Sequence, residues 1–103
     1  MRQQFLLSAV LVATVTGAAL AGSIAKGKSV FGSIIRFEPN MESRRLFSVP
    51  QGDPVVFVAE TGSFLSDWQW VKVRYGKREG YVWGGTVCTT DVQLKGVHFG
   101  CDN

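Results

Sequence analysis

Between Trp70 and Trp83 the chain alternates in a way that a β-hairpin satisfies and a helix does not. Val71, Val73 and Tyr75 fall on one face of an extended strand, and Trp70, Lys72 and Arg74 on the other. Gly76-Lys77-Arg78 is a short connection into residues 79–83, where Val82 again opposes Tyr81 and Trp83. The chain on either side has the same grain. Residues 30–37 form a β-rich run stopped by Glu38-Pro39-Asn40, because proline has no amide to give a central strand. Residues 46–49 form a second run, ended by the turn cluster Pro50-Gln51-Gly52-Asp53. Residues 55–59 read as a continuous apolar strand and 61–67 as a loop. Gly84-Gly85 breaks the hairpin's second strand, and 86–88 adds a last short one. No window of about eleven residues carries a helical period. The prediction is an all-β fold of five to six short strands, a small barrel or sandwich.

The N-terminus reads as a cleavable export signal. Arg2 supplies a short positive region, residues 5–15 begin an apolar stretch that runs on to Leu20, and Ala19 and Ala21 bracket Leu20 in an A-x-A cleavage pattern. An apolar run of about fifteen residues falls short of the roughly twenty that span a bilayer, which argues against a membrane anchor. Leu20-Ala21-Gly22-Ser23 resembles a lipoprotein box, but Ser23 stands where the lipidated cysteine belongs. The mature chain is therefore expected to be free in the periplasm or secreted. The predicted organisation is a leader over 1–21, a flexible lead-in over 22–29, the β domain over 30–88 and a tail over 89–103.

Removing the leader leaves about 80 residues, a size at which a hydrophobic core alone is marginal. Cys88 and Cys101 both lie in this part, and export takes them to an oxidising compartment. A disulfide that staples the tail is the economical reading. A metal site of Cys88, His98 and Cys101 is the alternative, and its irregular spacing and lack of a fourth Cys or His argue against it. No cofactor is expected. The formal net charge is +3, and the pairs Arg44-Arg45 and Lys77-Arg78 sit beside Glu42 and Glu79. A nucleic-acid surface needs a denser basic stripe, so no nucleic-acid partner is expected.

Three blocks carry a resemblance to the bacterial SH3-like domains of periplasmic, secreted and cell-wall proteins. Ile35-Arg36-Phe37-Glu38-Pro39 resembles the family's V-R-x-G-P turn, with Glu38 in place of its glycine. Residues 48–55 resemble its L-x-x-G-x-x-V signature. The block from Trp70 to Val82 resembles W-x-K-V-x-Y-x-G-x-x-G-Y-V. The resemblance implies an SH3-like, five-stranded, partly open barrel that acts as a targeting or binding unit, often towards peptidoglycan. It also places Trp70 and Trp83 in a peptide groove whose other wall is the first long loop, with Phe37, Glu38, Glu42, Arg44 and Arg45.

Catalytic constellations are sparse. The single histidine, His98, lies in the tail, there is no G-x-S-x-G elbow, and Glu60 and Asp67 flank a serine-rich loop where acids are usually solvated. No catalytic residue is assigned and the chain is expected not to be an enzyme. The aromatic residues are the better lead. Alternation puts Trp70, Tyr81 and Trp83 on one outer face, where they either form a contact surface or are buried under the 64–68 loop or the tail. Phe57, Val71, Val73, Tyr75 and Val82 read as core. The expected ligand is a cell-wall peptide or glycan held by Trp70, Tyr81 and Trp83. The alternative is a protein partner, as for a small inhibitor or a host-directed secreted factor.

Overall fold

The computed structural model describes residues 22–101; the predicted leader, 1–21, lies outside the described residues. Eight strands follow one another: β1 (Ala25–Ser29), β2 (Ser33–Arg36), β3 (Arg45–Val49), β4 (Pro54–Leu65), β5 (Trp68–Tyr75), β6 (Arg78–Trp83), β7 (Val87–Thr89) and β8 (His98–Phe99). They form one sheet in the order β3-β2-β6-β5-β4-β1-β7-β8, antiparallel throughout except for the last pair. The all-β, SH3-like class expected from the sequence is the class observed, with more strands than expected and an unclosed sheet.

The expected hairpin forms, with Val71 opposite Val82 and Trp70 opposite Trp83. Its inward residues Val71, Val73 and Val82 join Phe57, Ile35, Val49 and Val87 in a fully buried core. Tyr75 closes the end of that core half-buried, stacked on Phe47.

Two extra strands correct the sequence reading. The lead-in over 22–29 is largely a strand: Ala25, Gly27 and Ser29 are buried and alternate with exposed Lys26 and Lys28. β1 lies between β4 and β7 and pairs with both. Only small side chains fit there. A Cβ on Gly27 would collide with the Cys88 carbonyl and come within 2.8 Å of the Phe57 ring. The other addition is β8, in the tail. The 61–67 loop is also corrected, because β4 runs through to Leu65 with two register shifts. Only Ser66 and Asp67 turn the chain, Ser66 taking a left-handed φ of 61°.

Side chains bring the two halves of this open sheet together at one corner. The Ser33 hydroxyl donates to the Thr86 carbonyl (3.0 Å). The Ser29 hydroxyl lies 2.9 Å from Ser33 Oγ and 3.2 Å from the Val49 carbonyl, with one proton to share between them. The Val30 amide adds a backbone bond to Thr86 (2.8 Å). The end of β1 is thereby tied to the edge strand β3 and to the 3₁₀ turn Gly84–Thr86.

The tail is docked as well as stapled. Cys88 and Cys101 form a disulfide across a separation of 13 residues. Leu94 and Val97 enter the core. Gln69, 2% exposed, is the buried polar hinge of this region. Its side-chain amide donates to the Lys95 carbonyl and to Glu60, and its side-chain carbonyl accepts from the Gly62 amide. These bonds satisfy a buried amide that would otherwise be costly.

Beside the β3–β4 turn the Tyr75 hydroxyl donates to the Asp53 carboxylate (2.5 Å). That hydrogen bond, then partial burial and the nearby negative charge, raise the phenol's pKa above its ordinary 10.0. A raised folded-state pKa favours the neutral form. The contribution to stability is full below the unfolded value of 10.0 and is lost as pH rises through the folded value. Phenolate absorbance should show one tyrosine titrating late, and Asp53→Ala should move it back towards 10.0. Identical titrations of the two proteins would show that the bond does not form in solution.

Candidate functional site

Three adjacent strands build the site. On β2, Ile34 and Arg36 face outward while Ser33 and Ile35 face the core. On β6 and β5 the outward residues are Trp83 and Tyr81, facing Trp70 and Lys72 across the ladder. Arg36 pairs with Tyr81. The 37–44 loop then folds back so that Met41 faces these strands. The result is a pocket of about 110 Å³ lined by Trp70, Trp83, Ile34, Arg36 and Met41, with Gly32 and Thr86 at its end.

Its walls are fixed before any ligand arrives. The Trp83 indole N–H donates to the Leu65 carbonyl (3.1 Å), and a Cβ on Gly85 would meet the Trp83 ring at 2.8 Å, so the ring lies flat over that glycine. Trp70 is only 3% exposed and supplies an inner wall. The Arg36 side chain crosses behind the loop, where Nη1 donates to the Ser43 carbonyl (2.8 Å). Side chains held on paired strands are positioned more tightly than those on turns.

The predicted residues divide accordingly. The structure brings Trp70 and Trp83 together as a direct cross-strand pair. Of the two alternatives that alternation left open, contact surface or burial, Trp70 takes burial, at 3% exposed, beside Trp83 and Met41. Tyr81 shares the face, half-buried, but stands one pair further along, with the Lys72 ammonium 5.9 Å from its ring centroid. Phe37, Glu38 and Glu42 lie on the first long loop, all exposed, and none lines the pocket. Phe37 is covered by the Arg44 guanidinium at 5.0 Å, and the Glu38 amide is held by the Ser43 hydroxyl (2.7 Å). Sequence reasoning missed Ile34, Arg36 and Met41. The signal for the first two was present, since residues 34 and 36 alternate with the core residues 33 and 35.

A second cleft, of about 400 Å³, opens beside the disulfide between the β1–β2 turn, the β3–β4 turn and the tail. Phe31 and His98 form one wall, and Lys28 and Gln51 another. His98 packs at a tilt against Trp68 (ring centroids 4.2 Å apart), and its Nε2–H donates to the Gly85 carbonyl (3.1 Å). Cys88 and Cys101 are consumed by their mutual bond. This cleft is larger, but part of its lining comes from the exposed turn and loop residues Phe31, Gln51 and Gly100. The smaller pocket is the better-built candidate.

An open, curled sheet with a tryptophan pair beneath its first long loop defines an SH3-like domain. The chain belongs to the bacterial SH3 domain family, whose profile matches residues 32–87, more than half its length. The match begins after β1 and ends at the first residue of β7, so it takes in the whole pocket. No curated protein and no solved structure gives a significant match to the chain.

Proposed function

We propose that this protein is a non-catalytic binding module that works in the periplasm or after secretion and takes a cell-wall peptide between Trp70 and Trp83. The observation that carries the reading is the preformed pocket: two rigid indoles, one aliphatic wall and a loop methionine, assembled on three paired strands. Membership of the bacterial SH3 domain family supports it, and the Cys88–Cys101 disulfide fits an oxidising compartment. The pocket volume favours peptide over glycan. About 110 Å³ is the space of roughly four waters and accepts one small side chain, well below the several hundred Å³ typical of a whole-ligand site.

Burial changes which residue tests this reading. Trp70→Ala empties a buried site and should cost about 3–5 kcal/mol of stability, so loss of binding there would be ambiguous. Trp83 is half-buried at the pocket mouth and is the cleaner probe. The mature domain should sediment with purified peptidoglycan sacculi, and Trp83→Ala should leave most of it in the supernatant while its melting shows a folded protein. A wild-type domain that stays in solution with intact sacculi defeats the cell-wall reading.

A protein partner is the second reading, favoured by the exposed apolar side chains Phe31, Phe37 and Met41. Recovery of one stoichiometric protein from a periplasmic or culture extract would support it. Release of labelled fragments from cell wall by the purified domain would overturn the non-catalytic claim.

A further inference from the structure

The cleft beside the disulfide differs from the tryptophan pocket in size and in chemistry. Its volume of about 400 Å³ lies within the roughly 300–1,000 Å³ of a whole-ligand site. Its lining is evenly mixed, where that of the tryptophan pocket is almost wholly apolar. The walls are fixed by contacts already made. The Phe31 ring meets His98 edge-on (ring centroids 6.3 Å apart), and His98 is held in turn by Trp68 and the Gly85 carbonyl. The Gly52 amide donates to the Ser29 carbonyl (2.7 Å) and the Ser29 amide to the Asp53 carbonyl (3.0 Å), which ties the β3–β4 turn to the end of β1. The Gly32 amide donates to Ser29 Oγ (3.1 Å) and holds the turn that carries Phe31. The Phe31 ring itself remains 68% exposed, open to a ligand.

We propose that this cleft is a saccharide subsite, with Phe31 as the platform for one sugar ring. A pyranose has an apolar face of C–H groups, which lies well against an aromatic ring. Its rim of hydroxyl and acetamido groups needs donors and acceptors nearby. Lys28 offers an ammonium, and Gln51 a carbonyl and an amide. A single peptide side chain would leave most of this volume unfilled. The two sites are also neighbours. Phe31 lines the cleft, and Gly32, the next residue, lines the tryptophan pocket. Gly85 serves both: its carbonyl holds His98, and the Trp83 ring lies over it. A polymer in which a short peptide branches from an amino sugar matches that arrangement, with the sugar on Phe31 and a side chain against Trp83. This link between the sites rests on the peptide reading above; the sugar site by itself does not.

Three probes separate the parts. Di-N-acetylchitobiose stands for the sugar, alanyl-isoglutamine for the peptide, and N-acetylmuramyl-alanyl-isoglutamine joins the two. Each is titrated into the folded domain, with the His98 ring and Gly52 amide resonances reporting on the cleft and the Trp83 indole N–H on the pocket. Chitobiose should move the cleft signals and leave Trp83 in place. The joined compound should bind about a hundredfold more tightly than the dipeptide, the lower end of the gain from linking two sites. Phe31→Ala removes an exposed ring and spares the core. It should abolish the chitobiose shifts and bring the joined compound down to the affinity of the dipeptide. Phe31→Tyr should retain chitobiose binding, and Phe31→Leu, apolar but without a ring, should not.

An absence of cleft shifts with chitobiose in large excess overturns the proposal, as do sugar shifts that survive Phe31→Ala or appear at Trp83 instead. A joined compound that binds no more tightly than the dipeptide overturns the link between the sites. Sugar binding in the cleft with no response of Trp83 to the dipeptide removes the peptide reading and leaves the sugar site standing. The opposite pattern removes the sugar site alone.

Discussion

Reduced by a dithiol, the domain is expected to melt about 12–24 °C lower than its oxidised form, the shift that a loss of about 3 kcal/mol produces in a chain of this size. The cross-link spans 13 residues between buried Cys88 on β7 and Cys101 beyond β8. Opening it returns loop-closure entropy to the unfolded chain. It leaves the other anchors of the tail in place: Leu94 and Val97 in the core, His98 against Trp68, and Gln69 on the Lys95 carbonyl. Total stability in domains like this is often only about 5 kcal/mol, so the reduced form should still fold, but marginally. Paired melts followed by circular dichroism, with and without reductant, give the answer. A Cys88→Ser, Cys101→Ser double variant should melt like the reduced protein. A shift of only a few degrees would mean that the docked side chains hold the tail without help from the sulfur bond.

The second large effect is expected at a glycine. Gly27→Ala should destabilise the domain by about 3 kcal/mol or more, beyond the usual range for overpacking, because the obstacle is main chain. The added methyl would collide with the Cys88 carbonyl, and the Phe57 ring blocks the other direction at 2.8 Å. Relief requires β1 to separate from β7, which forfeits the ladder from Gly27 to Ser29. Lys26→Ala, one residue away on the exposed face, should change stability by no more than about 0.5 kcal/mol. Urea denaturation of the two variants compares them directly. A Gly27→Ala midpoint equal to that of wild type would show that the strands do not approach so closely.

Gly27 also marks where the sequence was hard to read. Hydrophobic alternation at period two is visible when the inward residues are large, and Val71, Val73 and Val82 announced the hairpin. β1 has the same period, but its inward residues are Ala25, Gly27 and Ser29, chosen for close approach rather than for apolar area. Such a strand looks like a flexible lead-in until its neighbours are known. The 61–67 segment failed for a related reason. Gly62 and Ser63 belong to a strand with a register shift, and the shift depends on pairing with β5. For the site, alternation correctly put Trp70 and Trp83 on one face. It carried no information about what lies over that face. Met41 arrives by a loop whose path is set by Arg36 and Ser43, contacts that no local pattern encodes. Hence the choice between surface and burial stayed open for Trp70, which is a wall inside.

The hydroxyl tie between Ser29, Ser33 and Thr86 bears on how the domain responds to occupancy. A ladder of backbone bonds opens cooperatively along a whole strand; a few side-chain bonds at a corner open locally, at a fraction of the global unfolding free energy. Gly32 and Thr86 stand both at this corner and at the end of the tryptophan pocket. Opening at the corner would therefore disturb the end of the pocket. A ligand that fits only the shut form draws the population towards it, and affinity is reduced by whatever fraction of molecules stands open. The two serines thus support the end of the pocket without lining it.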